Sequence, residues 1–333
     1  MASPLLRLLA TVVAGSALSG TAAAAVAQSG TLVVVNKAAS TASVIDVASG
    51  STLAVLPTGR GPHEVAITRD GGTAVVTDYG DRVGNNTLTI IDVPGLRVAR
   101  TVDLGEYRRP HGIAFLPGDS LVAVTSEEAQ AVVLMRVADG TIVKTLSTGQ
   151  GGSHMLAVTG DGSTIFTGNI RDGTVSQLDV ATGRRTGLFQ TPPQPEAITV
   201  TTDGREVWVG SNSEGTVSVV DVATGSVDTP LDGFRWPYRI LITPDNRHVL
   251  IPDFRAHELR IVDRAARAVI DVMRFDGAGP QGITLSHDGK TIYHAMSLED
   301  RIAVIDLESR SVIRSIATGR GPDGVAYTDQ VIR

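Results

Sequence analysis

Cysteine is absent from all 333 residues, so no disulfide can brace the fold, and a lipid anchor on an N-terminal cysteine is excluded. Lysine is nearly absent as well. Lys37, Lys144 and Lys290 are the only three, so any anion site must be built from arginine. The 29 basic residues are outnumbered by 35 acidic ones and form no block, which argues against binding along a phosphate backbone. Nucleic acid is therefore disfavoured as a partner. Several catalytic motifs are missing too: there is no GxSxG elbow, and the TGRGP segments lack the helix and Lys-Ser/Thr pair of a phosphate loop. The acids of DYGDRVGNN (78–86) do not follow EF-hand spacing, which leaves a flexible insertion as the expected reading of that loop.

Aromatic residues make up only 4% of the chain, against 36 glycines and recurrent Val, Ile and Thr. That mix suits many short strands joined by tight turns rather than long helices. The apolar run near the N-terminus is rich in Ala and Gly and too weakly hydrophobic for a membrane span of about 20 residues. Arg7, the stretch from Leu8 to Ser19 and the triplet Ala25-Val26-Ala27 instead read as a cleaved signal peptide over residues 1–27. The mature chain, 28–333, is then a single periplasmic or secreted domain.

What is present is a repeat. The segments TGRGPHEVAIT, EYRRPHGIAFL, TGQGGSHMLAVT, TPPQPEAITV, GFRWPYRILIT, DGAGPQGITLS and TGRGPDGVAYT share an anchor, a variable polar residue and a short apolar strand. The anchors are Pro62, Pro110, Ser153, Pro195, Pro237, Pro280 and Pro322, spaced by 48, 43, 42, 42, 43 and 42 residues. A period of 40–45 residues with about four strands per unit predicts an all-β, seven-bladed β-propeller of four-stranded antiparallel blades. Asp-Gly and Thr-Gly turns close the hairpins of most units, supplying the positive φ such turns need. Residues 31–57 carry strands two to four of a blade, and 323–328 carry only a first strand. Pairing of the two chain ends should therefore close the ring.

The GxGPHEVAIT-type segment, the strand ends VVTD, FTGN and VVVN, and the third strand xIDVATG resemble the YVTN-repeat β-propellers, including the YncE-like exported bacterial proteins. The resemblance covers essentially the whole mature chain. It implies the propeller fold but no single activity, because related propellers include lactonases, lyases, electron-transfer subunits and binding scaffolds.

The residue after each anchor stands at the entrance of an innermost strand. Around the ring these residues are His63, His111, His154, Glu196, Tyr238, Gln281 and Asp323, with Arg108, Arg109, Arg235, Trp236 and Arg239 on the same rim. Three imidazoles and a carboxylate on consecutive blades suit a divalent Zn, Cu, Mn or Fe ion on His63, His111, His154 and Glu196. Metal-binding lactonases and lyases on seven-bladed propellers are what the resemblance adds. Glu64, Glu196 or Tyr238 would then handle a proton, and Arg109, Trp236, Arg239, Gln281 and Asp323 would contact a small-molecule or polymer ligand on a monomeric propeller. Two other readings stand beside it: a metal-free polar ligand site, and a ring of histidines that merely bond neighbouring backbone. A non-enzymatic cell-envelope scaffold would use the same rim. Asn36, Asp78, Asn169 and Asp253 end second strands there and suit loop capping or outer support. Trp208 reads as core, His248 and His287 as solvent-exposed, and His294 as either a buried histidine or a further member of the ring.

Overall fold

The computed structural model describes residues 28–332, so the expected signal peptide lies outside the described residues. The strands form seven four-stranded antiparallel sheets, each in simple chain order except the last to close. There the strand Pro322–Thr328 pairs with Thr31–Asn36, in register Thr31 to Thr328 and Val33 to Ala326, and the strands Thr41–Asp46 and Thr52–Pro57 follow outward. The ring is thus closed by hydrogen bonds between the two ends of the chain, which leaves only short outer edges. We number the blades from the one that begins at Pro62, so the closing blade is the seventh.

The repeated acids are turn braces. In the turn between first and second strands, Asp161 accepts from the Thr159 hydroxyl at 2.6 Å and the Ser163 amide at 3.0 Å; Asp203 and Asp245 act alike. In the turn after the third strand, Asp179 accepts from the Thr182 amide and hydroxyl, and Asp221 from those of Thr224. These bonds hold the side chains of Asp161, Asp179 and Asp221 below the usual carboxylate range.

Middle strands are covered on both faces and read as continuous apolar runs, as in Thr31–Asn36, whereas outer strands such as Arg97–Asp103 alternate. The core lies between blades. Leu32, Val34 and Ile45 of the seventh blade pack with Tyr293, Ile302 and Val304 of the sixth. Trp208, fully buried, meets Val249 and Ile251 of the next blade, in line with its expected core role. Each such side chain contributes roughly 1.5–3 kcal/mol by leaving water. The 48-residue spacing has an ordered cause: strands Thr73–Gly80 and Gly84–Asp92 extend their hairpin beyond the usual length, with Gly80 opposite Gly84. The expected flexible loop is a longer ribbon, and it carries Tyr79 toward the ring axis.

Candidate functional site at the channel mouth

One irregularity of the inner strands builds the site. In the first, second, third, fourth and sixth blades the register slips just after the anchor, between Pro62 and Val65, Pro110 and Ile113, Ser153 and Leu156, Pro195 and Ala197, and Pro280 and Ile283. The same slip occurs opposite Pro322 in the closing blade. A bulge takes a residue out of the ladder and re-aims its side chain. In the fifth blade the regular strand is reduced to Leu241–Ile242, with Pro237 bridged to Asp253. The freed backbone is satisfied locally: the Thr77 hydroxyl accepts from the Glu64 amide at 3.0 Å and donates to the His111 carbonyl of the next blade at 3.0 Å. Adjacent inner strands meet so closely that a Cβ on Gly112 would fall 2.7 Å from the Leu156 amide nitrogen.

The residues after the anchors do converge. His63, His111 and His154 form a stack, with ring centroids 4.4 Å apart for the first pair and 3.7 Å for the second. All three are buried. His63 Nδ1 lies 2.8 Å from Asp323, whose carboxylate also accepts from the Tyr238 hydroxyl at 3.0 Å. His154 is held between two carboxylates: Nδ1 bonds Glu127, and Nε2 bonds Glu196 at 3.0 Å. Arg239 reaches across the channel to Glu64, with Glu196 3.8 Å away. His111 differs from its neighbours, because its Nδ1 is buried with no hydrogen-bond partner.

A second set of side chains, which the anchor positions alone do not reveal, completes the site. Lys37 lies 3.5 Å from His63 Nδ1 and 3.6 Å from Asp323. Tyr79 donates to Glu127 at 2.9 Å and stands edge-on to both His63 and His111. Glu127 is 3% exposed, and Asn212 donates to Glu196 at 3.1 Å. Lys37, Tyr79, Glu127 and Asn212 share one repeat position, the residue just past the residue that ends or nearly ends the second strand. The signal was available in the sequence, one position beyond Asn36 and Asp78.

Burial and the charge of Lys37 hold His63 down at about 4, and burial with the charge of His154 keeps His111 well below the imidazole range. Both are neutral at pH 7. Burial works against a charge on His154 as well, but Glu196 and Glu127 outweigh it and raise the group to about 9. Burial raises Glu64 to about 7 against the pull of Arg239, whereas Arg239 is strengthened by Glu64, Asp323 and Glu196 together. The asymmetry is physical: the guanidinium has several acids near it, whereas the pull of Arg239 and His154 on Glu64 is opposed by burial and by Asp323. With Glu64 ionised, Lys37, His154 and Arg239 face Glu64, Glu127, Glu196 and Asp323, which leaves one acid in excess.

The group whose ligand atoms lie within 4.8 Å of one another is His63, Glu64 and His111. This differs from the expected set of His63, His111, His154 and Glu196. His154 has both nitrogens committed to carboxylates and lies against His111 with the rings tilted by 30°. Gln281 is half-buried on the same ring. Arg109 lies over the Tyr79 ring at 4.9 Å and pairs with Glu128 at 3.2 Å, and Trp236 lies under the Arg255 guanidinium at 4.0 Å; both remain on the rim. Asn36, Asp78 and Asn169 bond hydroxyls on the next strand of their own blades, whereas Asp253 latches a loop by accepting from the amides of Arg235 and Trp236. His294 stays in the blade core, edge-on to Phe275, while His248 is half-buried rather than exposed. His287 is exposed and bonded to Asp329 at 2.6 Å.

These features define a seven-bladed β-propeller whose channel mouth is closed by a buried, charge-paired cluster. Residues 233–333 match the model of the YNCE-like beta-propeller family, and the seven-bladed ring has the propeller fold throughout. No curated protein sequence matches it. Among solved structures, hydrazine synthase of Kuenenia stuttgartiensis superposes with a TM-score of 0.73 at 17% identity, over 83% of this chain and 92% of that one. A functionally unknown protein of Desulfotomaculum acetoxidans gives 0.73 at 15% identity, over 90% and 99%. At such identities the likeness shows the fold alone. No helix among the described residues is long and apolar enough to cross a membrane.

Proposed function

We propose that this exported propeller binds a divalent metal of the Zn, Cu, Mn or Fe kind on His63, Glu64 and His111, and through it a small polar ligand. The observation that carries the reading is His111: it is 1% exposed, its Nδ1 has no partner, and it belongs to the group whose ligand atoms lie within 4.8 Å. A buried nitrogen left unpaired costs about 1–3 kcal/mol, which a bound cation would relieve. Arg239 takes one oxygen of Glu64 and Asp323 takes Nδ1 of His63, which leaves the other oxygen and Nε2 for the ion. The Asp323 bond, itself held by Tyr238, resembles the carboxylate support that orients metal-binding imidazoles. With Glu64 ionised, the one excess acid of the cluster favours a cation over an anion. When bound, the metal would supply Lewis-acid polarisation of a ligand oxygen.

Among the groups expected to move a proton, Tyr238 donates to Asp323, and burial pushes its phenol far up. Glu196 is committed to His154 and Asn212. Glu64 is left, so a lyase or lactone-hydrolase step would depend on it. Binding is the function the arrangement supports best. Elemental analysis of tag-free protein, supplemented with zinc or manganese and then desalted, tests it. One ion per chain is expected, lost in His63→Ala/His111→Ala and retained in His154→Gln. A folded protein that takes up no ion, or a double variant that keeps it, sinks the reading.

A further inference from the structure

Below the charged mouth the channel is not filled. A cavity of about 290 Å³ runs along the inner strands, roofed by Glu64 and Arg239 and walled by residues such as Val65, Val158, Val200 and Ile283. Val158 and Val200 are the last residues of their strands, so the cavity reaches the level of the face opposite the histidines. Its volume is at the small end of the range for small-molecule sites, ~300–1,000 Å³. The roof holds a second unpaired donor: Arg239 is 6% exposed, and its Nε is buried without a partner. Arg239 and Glu64 are also the two charged residues at the second position after the anchors, where the other blades carry Gly112, Met155, Ala197, Gly282 and Gly324.

We infer that the channel is a second binding site, for a small monocarboxylate with an apolar body, whose carboxylate meets Arg239 and whose chain lies along the valine-rich wall. Apolar strand side chains along the wall and a guanidinium at the end suit that shape and charge. The inference rests in part on the metal reading. Glu64 now occupies Arg239, and an ion on Glu64 would draw its charge away and leave the guanidinium for the incoming carboxylate. Metal and carboxylate should therefore bind with positive coupling, each raising the affinity of the other by the same factor.

Isothermal titration with hexanoate, and with hexanol as the uncharged control, tests this on the full chain. Zinc occupancy is read first by elemental analysis, so failure of the metal reading is a separate result. Hexanoate should bind the zinc-loaded protein one to one, roughly tenfold or more tighter than the zinc-free protein, with hexanol much weaker. Val200→Trp, which fills the cavity away from the charges, should keep zinc and lose hexanoate, as should Arg239→Gln. Zinc-loaded protein that binds no hexanoate, hexanoate binding that survives Val200→Trp, or hexanol binding as tightly as hexanoate overturns the carboxylate site. If no zinc binds, hexanoate is titrated into the metal-free protein. Binding lost in Arg239→Gln upholds the site, and absence of binding ends it.

Discussion

Replacing Arg239 by methionine isolates the energetics of the channel mouth. The side chains of Glu64 and Arg239 are 13% and 8% exposed, so the substitution leaves a buried carboxylate without its counter-ion. Removing one member of a buried pair costs about 3–5 kcal/mol, which for a domain of this size lowers the melting temperature on the order of 10 °C. The loss should depend on pH, and its sign follows from Glu64. The folded protein holds the Glu64 proton up to about 7, whereas an unperturbed carboxyl releases it near 4.5. Between those values the native state carries a proton that the unfolded state lacks, so stability falls as pH rises. At pH 5 Glu64 is already neutral, so Arg239→Met should lose only the weaker attraction of the guanidinium to Glu196 and Asp323, and the cost should be smaller. At pH 8 the penalty should be larger, because without Arg239 the variant must either bury an unpaired carboxylate or hold the Glu64 proton against the solvent. Thermal and urea unfolding of metal-free protein, followed by circular dichroism at both pH values, measures it, and Glu64→Gln in the Arg239→Met background should recover most of the loss. An equal loss at pH 5 and pH 8, or no recovery in the double variant, would refute the account.

Other perturbations probe other parts of the ring. His154, raised to about 9 by its two carboxylates, contributes stability that is complete below pH 6.5 and disappears as pH rises through 9. Melting curves across that window should show a steeper decline for the native protein than for His154→Gln, and parallel curves would count against the ion-paired imidazolium. His294 has neither ring nitrogen bonded, and burial holds it down at about 3. Its contribution is lost as pH falls below 6.5, so His294→Leu should stabilise the protein by about 1–3 kcal/mol, more at pH 5 than at pH 8; a destabilised variant at pH 5 would contradict this. Deleting residues 322–333 removes the strand paired with Thr31–Asn36. Size-exclusion chromatography and circular dichroism should then report global unfolding or aggregation, and a compact, cooperatively melting product would show that ring closure is dispensable.

The blade count, the ring closure and the face bearing the histidine cluster were all legible in the sequence, because the same turn chemistry recurs at each period. An Asp that braces a turn, a Gly that supplies positive φ and an anchor before each inner strand are local requirements, met by residues close along the chain. The meeting of His63, His111 and His154 was legible for the same reason, since equivalent repeat positions must face one axis. The partners of each ring nitrogen were not. Glu127 captures His154 from the neighbouring blade, Arg239 reaches Glu64 from a blade 175 residues away, and the lengthened hairpin that looked like a loose loop delivers Tyr79 edge-on to two imidazoles. Sequence by itself determined that the residues after the anchors share the mouth of the channel. Only the tertiary structure decided which of them neutralise one another and which are left unpaired. That division depends on distances of a few ångströms between blades, set by the bulges and by how closely glycines such as Gly112 let neighbouring strands approach.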